Sequence, residues 1–190
     1  MSILVLGLII LLGIHSLPMA PALRDRLRQP LGETGYKAVV GIVSLVGLVL
    51  IVWGYGLARA VPVVVWDPPV WTRHVAALLM VFSFILVVAA YIPGRIREKL
   101  RHPMLAGVKL WAFAHLIANG TLADIVLFGV ILIWAIVDRI SLKRREVAGL
   151  VTVTGGPPRN DAIAVVVGLV VYVLFAFWLH EWLIGVAPFA

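Results

Sequence analysis

Six apolar stretches, each close to the length that crosses a bilayer, dominate this sequence. The hydrocarbon core of a membrane is about 30 Å thick, so a spanning helix needs about 20 apolar residues. The six stretches lie at about residues 2–20, 36–58, 74–92, 104–119, 121–138 and 162–184. Only 13% of the residues are charged, whereas soluble domains carry about 25%. We therefore expect an all-α fold, a polytopic membrane helical bundle of about six transmembrane helices in contact with the lipid bilayer.

Most of the basic residues lie on alternate connections between these stretches. They are Arg24, Arg26, Arg28 and Lys37, then Arg95, Arg97, Lys99 and Arg101, and finally Arg139, Lys143, Arg144, Arg145 and Arg159. Short loops rich in Lys and Arg stay in the cytoplasm. The pattern predicts a multi-pass protein of the cell inner membrane with both termini in the periplasm. The net charge of +7 thus reports topology, and we expect no nucleic-acid partner.

The connections between the stretches predict one transmembrane domain over residues 1–190. Asn119-Gly120-Thr121 is a short turn signal between the fourth and fifth stretches, which predicts an antiparallel helix hairpin. The longest polar segment, residues 139–161, is expected to continue the fifth helix as a basic extension and then form a loop. Its Gly155-Gly156 pair lacks the Lys and Ser or Thr of a phosphate-binding loop.

The chain contains no cysteine. A disulfide framework, a thiolate zinc site, an iron–sulfur cluster and a cysteine nucleophile are therefore excluded, because each needs a thiol. Any metal chemistry must depend on histidine, carboxylate or a cofactor.

Two histidines are expected deep in the membrane. By helical rise, His15 lies about 13 Å and His115 about 21 Å from the basic side. Two imidazoles that face each other across a helical bundle are suitable axial ligands for haem iron. The alternative is that each histidine only bonds a neighbouring helix. The depth difference of about 8 Å must be absorbed by helix tilt if the two are to meet.

Other polar groups near the membrane include two, Lys109 and the Arg101-His102 pair, that each have two interpretations. Lys109 either extends its ammonium to the cytoplasmic interface or pairs with an anion such as a haem propionate. Arg101-His102, before Pro103 at a helix start, forms either an anion site or a topology signal. Asp124 suits the first turn of a helix. Aromatic and polar residues expected at the outer interface are Trp53, Tyr55, Trp66, Trp71, His74, Trp178, His180, Glu181 and Trp182.

Several longer motifs make the sequence similar to the NnrU family. They are His15-Ser16-Leu17-Pro18-Met19-Ala20-Pro21, Trp66-Asp67-Pro68-Pro69 with Trp71-Thr72-Arg73-His74, and Arg101-His102-Pro103-Met104-Leu105-Ala106-Gly107-Val108-Lys109-Leu110-Trp111-Ala112-Phe113-Ala114-His115 followed by Asn119-Gly120 and Asp124. The resemblance covers nearly the whole chain. It implies a membrane protein associated with denitrification, with nitrite or nitric oxide reductase components as partners.

The NnrU family in turn resembles the cis-ζ-carotene isomerases, which are integral membrane haem b proteins. This resemblance implies haem b as cofactor, with His15 and His115 as metal ligands. Arg101, His102 and Lys109 complete the expected cofactor-binding set. A cysteine implicated as an alternative ligand in the isomerase corresponds to Ala112, so a histidine-to-thiolate exchange is not available to this chain.

Two alternative functions remain open from the sequence. Arg101, His102, Pro103 and Gly107 resemble the start of the hairpin that holds S-adenosylmethionine in membrane methyltransferases, although Leu105 replaces the tyrosine and Glu146 is the single acidic residue that follows. A non-enzymatic assembly factor is the other alternative, since no complete catalytic constellation is present.

Overall fold

The computed structural model describes residues 1–189 of the chain, and these residues are mostly helical. The helices are α1 Ser2–His15, α2 Pro21–Ala60, α3 Val70–Tyr91, α4 Arg95–Leu100, α5 Pro103–Ala118, α6 Leu122–Val147, α7 Pro158–Leu174 and α8 His180–Ile184. A 3-10 turn, Leu17–Met19, joins α1 to α2, and a π-helical turn, Phe175–Leu179, joins α7 to α8. The described residues form no β-strand, only an isolated bridge between Val64 and Thr121. The all-α prediction is confirmed.

The long helices are arranged as a row of neighbours rather than around one central helix. α1 packs against α2, α6 lies against α1 and α5, α5 packs against α3, and α3 packs against α7. The largest buried cluster fills the space between α1, α2, α5 and α6. Its buried members are Leu4, Leu8, Ile51, Ala112, Ala123, Leu127 and Phe128. This cluster places α5 and α6 at the middle of the molecule, where the candidate site lies.

Four helices are long and apolar enough to cross a membrane: Pro21–Ala60, Val70–Tyr91, Leu122–Val147 and the continuous Pro158–Ile184. α1 and α5 are apolar but shorter, with 14 and 16 residues. At 1.5 Å per residue they span about 21 and 24 Å, less than the hydrocarbon core. The chain is thus an apolar helical protein with four candidate spans. The count of about six stays a prediction.

The connections differ from the sequence prediction in two places and agree in two. The basic connection at residues 95–101 was predicted as a loop and contains α4. The segment predicted as a loop before residue 36 is helical, and α2 bends at Gly32, which has φ 66°, two residues after Pro30. Proline and glycine are the usual causes of such kinks. The α5–α6 hairpin is confirmed, with its turn between Ala118 and Leu122. The basic extension of α6 to Val147 is confirmed as well.

We call the end of the molecule that carries the 95–101 and 139–159 segments the basic end, and the end with the 119–121 turn the opposite end. At the basic end, Asp161 Oδ1 accepts a hydrogen bond of 2.9 Å from the backbone N–H of Ile96, at the start of α4. At the opposite end, Arg59 donates a 3.0 Å hydrogen bond to the carbonyl of Ile184. α2 and α8 are therefore linked there, although they are distant in sequence.

α1 and α2 are held together by very close backbone contact at glycine. A Cβ on Gly54 would overlap the backbone N of Leu4 and lie 2.7 Å from its Cα. Real side chains essentially never approach so closely, so glycine is required at this position.

Gly54→Ala is therefore expected to destabilise the protein by about 1–3 kcal/mol, because the two helices must move apart. Gly56→Ala is the matched control. A Cβ at Gly56 meets nothing within 4 Å, so this change should be neutral or slightly stabilising. Thermal unfolding in detergent, followed by circular dichroism, measures both. Equal melting temperatures for the two variants would contradict the close helix contact.

Candidate functional site

His115 lies in the last turn of α5, near the opposite end and surrounded by aromatic rings. Its Nδ1–H donates a 2.8 Å hydrogen bond to the Trp111 carbonyl one turn earlier. Its ring stacks on Phe128 of α6 at a centroid distance of 4.6 Å and contacts the Trp111 ring at 5.1 Å. Because Nδ1 is the donor, the lone pair of the neutral ring is on Nε2.

His180 is the nearest titratable ring to His115. The two ring centroids are 6.5 Å apart and the ring planes differ by 21°. His180 Nδ1–H donates a 2.7 Å hydrogen bond to the carbonyl of Val186. His180 is one of the residues expected at the outer interface; its side chain is partly exposed and lies against a histidine of another helix. The sequence did not indicate this pair.

Two backbone features orient His180. The π-helical turn Phe175–Leu179 ends directly before it, and Gly185 has φ 75°, in the left-handed region that favours glycine. The turn at Gly185 brings Val186 back to the His180 ring. π-helical turns are rare and frequently occur at functional sites.

His15 lies elsewhere, toward the basic end. Its Nδ1–H donates a 2.8 Å hydrogen bond to the Leu11 carbonyl, and its ring meets Trp134 of α6 edge-on at 6.2 Å. Trp134 is six residues after Phe128, which is about 9 Å along α6. The structure therefore brings His115 to His180 and leaves His15 at another level of the bundle. The pairing of His15 with His115 stays a prediction.

A buried carboxylate lies close to this region. The Asp124 side chain is only 4% exposed, and its Oδ1 accepts a 2.5 Å hydrogen bond from the Tyr55 hydroxyl. Its Oδ2 accepts hydrogen bonds from the backbone N–H and hydroxyl of Thr121, at 3.0 and 2.6 Å. Asp124 is thus a capping residue at the start of α6, as its first-turn position suggested, and it also links α6 to α2.

At the basic end, Arg101 and His102 converge on one carboxylate. Arg101 Nε lies 2.7 Å from Glu146 Oε2, and His102 Nε2 forms a hydrogen bond with Glu146 Oε1. Burial alone would raise the pKa of Glu146, but the hydrogen bonds from His102 and Arg101 together outweigh it, so this pKa lies below its ordinary value. The stabilisation from these contacts is present at neutral pH and is lost as the pH falls through the lowered pKa.

The remaining predicted residue, Lys109, is half-buried on α5. Within residues 1–189 it forms no hydrogen bond or ion pair. It is six residues after Pro103, or about 9 Å along the helix. Both interpretations of Lys109 stay predictions.

No group of three or more His, Asp or Glu side chains in residues 1–189 is arranged to hold a bare metal ion. A metal at His115 and His180 would need further ligands from a cofactor. A porphyrin supplies four nitrogen ligands by itself, so its iron needs only one or two from the protein.

No curated protein and no solved structure shows significant similarity to this chain. A family model described as NnrU protein matches residues 3–188, which is nearly the whole chain. The chain therefore belongs to the NnrU family.

Proposed function

We propose that this protein is a multi-pass inner-membrane component of denitrification that binds one haem b through His115. Family membership and the apolar helices support a membrane protein associated with denitrification. The proposal adds six spans, with α1 and α5 crossing the membrane together with the four longer helices, and both termini in the periplasm. The basic end then faces the cytoplasm, in accordance with the distribution of Lys and Arg.

The orientation of the His115 ring is the observation that carries the haem proposal. Ligating histidines usually donate their second ring N–H to a backbone carbonyl or a carboxylate, which fixes the ring and its tautomer. The hydrogen bond from His115 Nδ1–H to Trp111 has this form, and Nε2 receives no hydrogen bond from residues 1–189. Trp111 and Phe128 pack against the His115 ring and restrict its rotation, so Nε2 is held in one direction.

Haem b in this position would supply one-electron redox chemistry and, where an axial ligand is lost, a coordination position for a diatomic gas. The protein residues would fix the orientation of the cofactor and exclude water. Such a site suits electron transfer or gas sensing in nitric oxide and nitrite metabolism. Arg101 and His102 lie about 20 Å from His115, measured along α5. We therefore assign them to the contacts with Glu146 rather than to the haem.

The methyltransferase alternative receives less support from these contacts. A cationic methyl donor would need a free carboxylate, and Glu146 is already bound by both Arg101 and His102. An assembly factor without cofactor would be recognised by stable co-purification with nitrite or nitric oxide reductase components and by the absence of haem.

Complementation of a denitrifying strain that lacks its NnrU gene tests the proposed role. Expression of the wild-type chain should restore nitrite and nitric oxide turnover, and His115→Ala should not. His74→Ala is the matched control, because His74 is an exposed histidine at the start of α3. Full restoration by His115→Ala would contradict a role for haem, and normal turnover in the deletion strain would contradict a role in denitrification.

A further inference from the structure

We infer that His180 is the second axial ligand of the haem, opposite His115. This inference rests on the proposed haem function and names the ligand pair. It replaces His15 as the partner of His115 with a residue from the last helix, 65 positions further along the chain.

The distance between the two rings is suitable for a shared iron. Two imidazoles on opposite sides of one metal, with metal–nitrogen bonds of about 2 Å, have ring centroids about 6 Å apart. The His115 and His180 centroids are 6.5 Å apart. His15 makes no ring contact with either histidine in residues 1–189, and its neighbour Trp134 is about 9 Å along α6 from the level of His115.

Both rings are held in the same way. His115 Nδ1–H donates to the Trp111 carbonyl and His180 Nδ1–H donates to the Val186 carbonyl, at 2.8 and 2.7 Å. Each ring then presents Nε2 with its lone pair, and neither Nε2 receives a hydrogen bond from the described part of the chain, residues 1–189.

The backbone around His180 supports a functional role. The π-helical turn before it shifts the helical register, and the left-handed turn at Gly185 returns Val186 to the ring. Aromatic rings also continue on this side. Phe175 lies 6.2 Å from His180 and 5.6 Å from Phe84 of α3. The two imidazoles thus lie between an aromatic wall on α5 and α6 and another on α3 and the π-helical turn.

Optical and electron paramagnetic resonance spectra of the full-length protein, purified in detergent from haem-replete cells, test the inference. Wild type and His15→Ala should both show six-coordinate, low-spin ferric haem. His180→Ala should lose nearly all of the low-spin signal, and millimolar imidazole should restore it by occupying the freed position. His74→Ala serves as a control and should match wild type.

A second variant keeps the test decisive if His180→Ala fails to fold. Gly185→Ala strains the left-handed turn that supplies the Val186 carbonyl, so we expect part of the haem to become high-spin while both histidines remain. Low-spin haem that depends on His115 and His15 but is unchanged in His180→Ala and Gly185→Ala would overturn this inference and leave the proposed function standing. Wild-type protein without haem would overturn the proposed function itself.

Discussion

His115→Ala is expected to remove the low-spin, bis-histidine haem signal from the purified protein. The variant removes the ligand that the proposed function and the inferred histidine pair have in common. Among residues 1–189, His180 is the one histidine that contacts the His115 ring. Loss of an axial nitrogen cannot be compensated by packing, so the Soret band should fall to background or shift to the high-spin form. The measurement is the ratio of Soret to protein absorbance.

The control for this experiment must separate ligand loss from misfolding. His115 also stacks on Phe128, so its truncation leaves a small cavity that should cost about 1–3 kcal/mol of stability. A folded His115→Ala protein, shown by circular dichroism and a cooperative melt, should regain low-spin haem absorbance when haem and imidazole are added together. A wild-type spectrum in the folded variant without imidazole would contradict ligation by His115.

Asp124→Ala is expected to cause the largest loss of stability among single substitutions of the polar residues. It leaves the half-buried Tyr55 hydroxyl without its acceptor, which costs about 1–3 kcal/mol, and it removes the capping box of α6, which costs about 1 kcal/mol. The free energy of unfolding in detergent should therefore fall by about 2–4 kcal/mol. Asp67→Ala, which removes an exposed carboxylate near the same end, should change it by less than about 0.5 kcal/mol.

A double-mutant cycle with Tyr55→Phe apportions this loss. Because Tyr55 donates to Asp124 at 2.5 Å, the double variant should be more stable than the sum of the two single losses predicts. Strict additivity, or an Asp124→Ala protein as stable as Asp67→Ala, would show that the hydrogen bond does not link α2 to α6.

The parts of the fold that depend on local chemistry could be predicted from the sequence. Asn119-Gly120 predicted the hairpin because turn residues act over a few positions, and the charge run after Asp138 predicted the extension of α6. The level difference between His15 and His115 was also foreseeable. Helical rise predicts from the sequence that the two histidines differ in depth by about 8 Å. In the structure, their contact residues on α6, Trp134 and Phe128, are about 9 Å apart along the helix.

The site itself depends on contacts that sequence periodicity does not encode. The contact of His180 with His115 follows a π-helical turn, Phe175–Leu179, which sequence periodicity does not encode. The Tyr55–Asp124 bond joins residues 69 positions apart, and an aromatic ring near a helix end is usually read as an interface anchor. The glycine after Ile184 was the available signal.

The haem content of the wild-type protein tests the central claim most directly. Full-length protein should be purified in detergent from haem-replete cells, and its haem should be converted to the pyridine haemochrome and compared with the protein concentration. One haem b per chain, with a reduced-minus-oxidised spectrum typical of bis-histidine ligation, is the predicted result. A folded protein that contains no haem would contradict it.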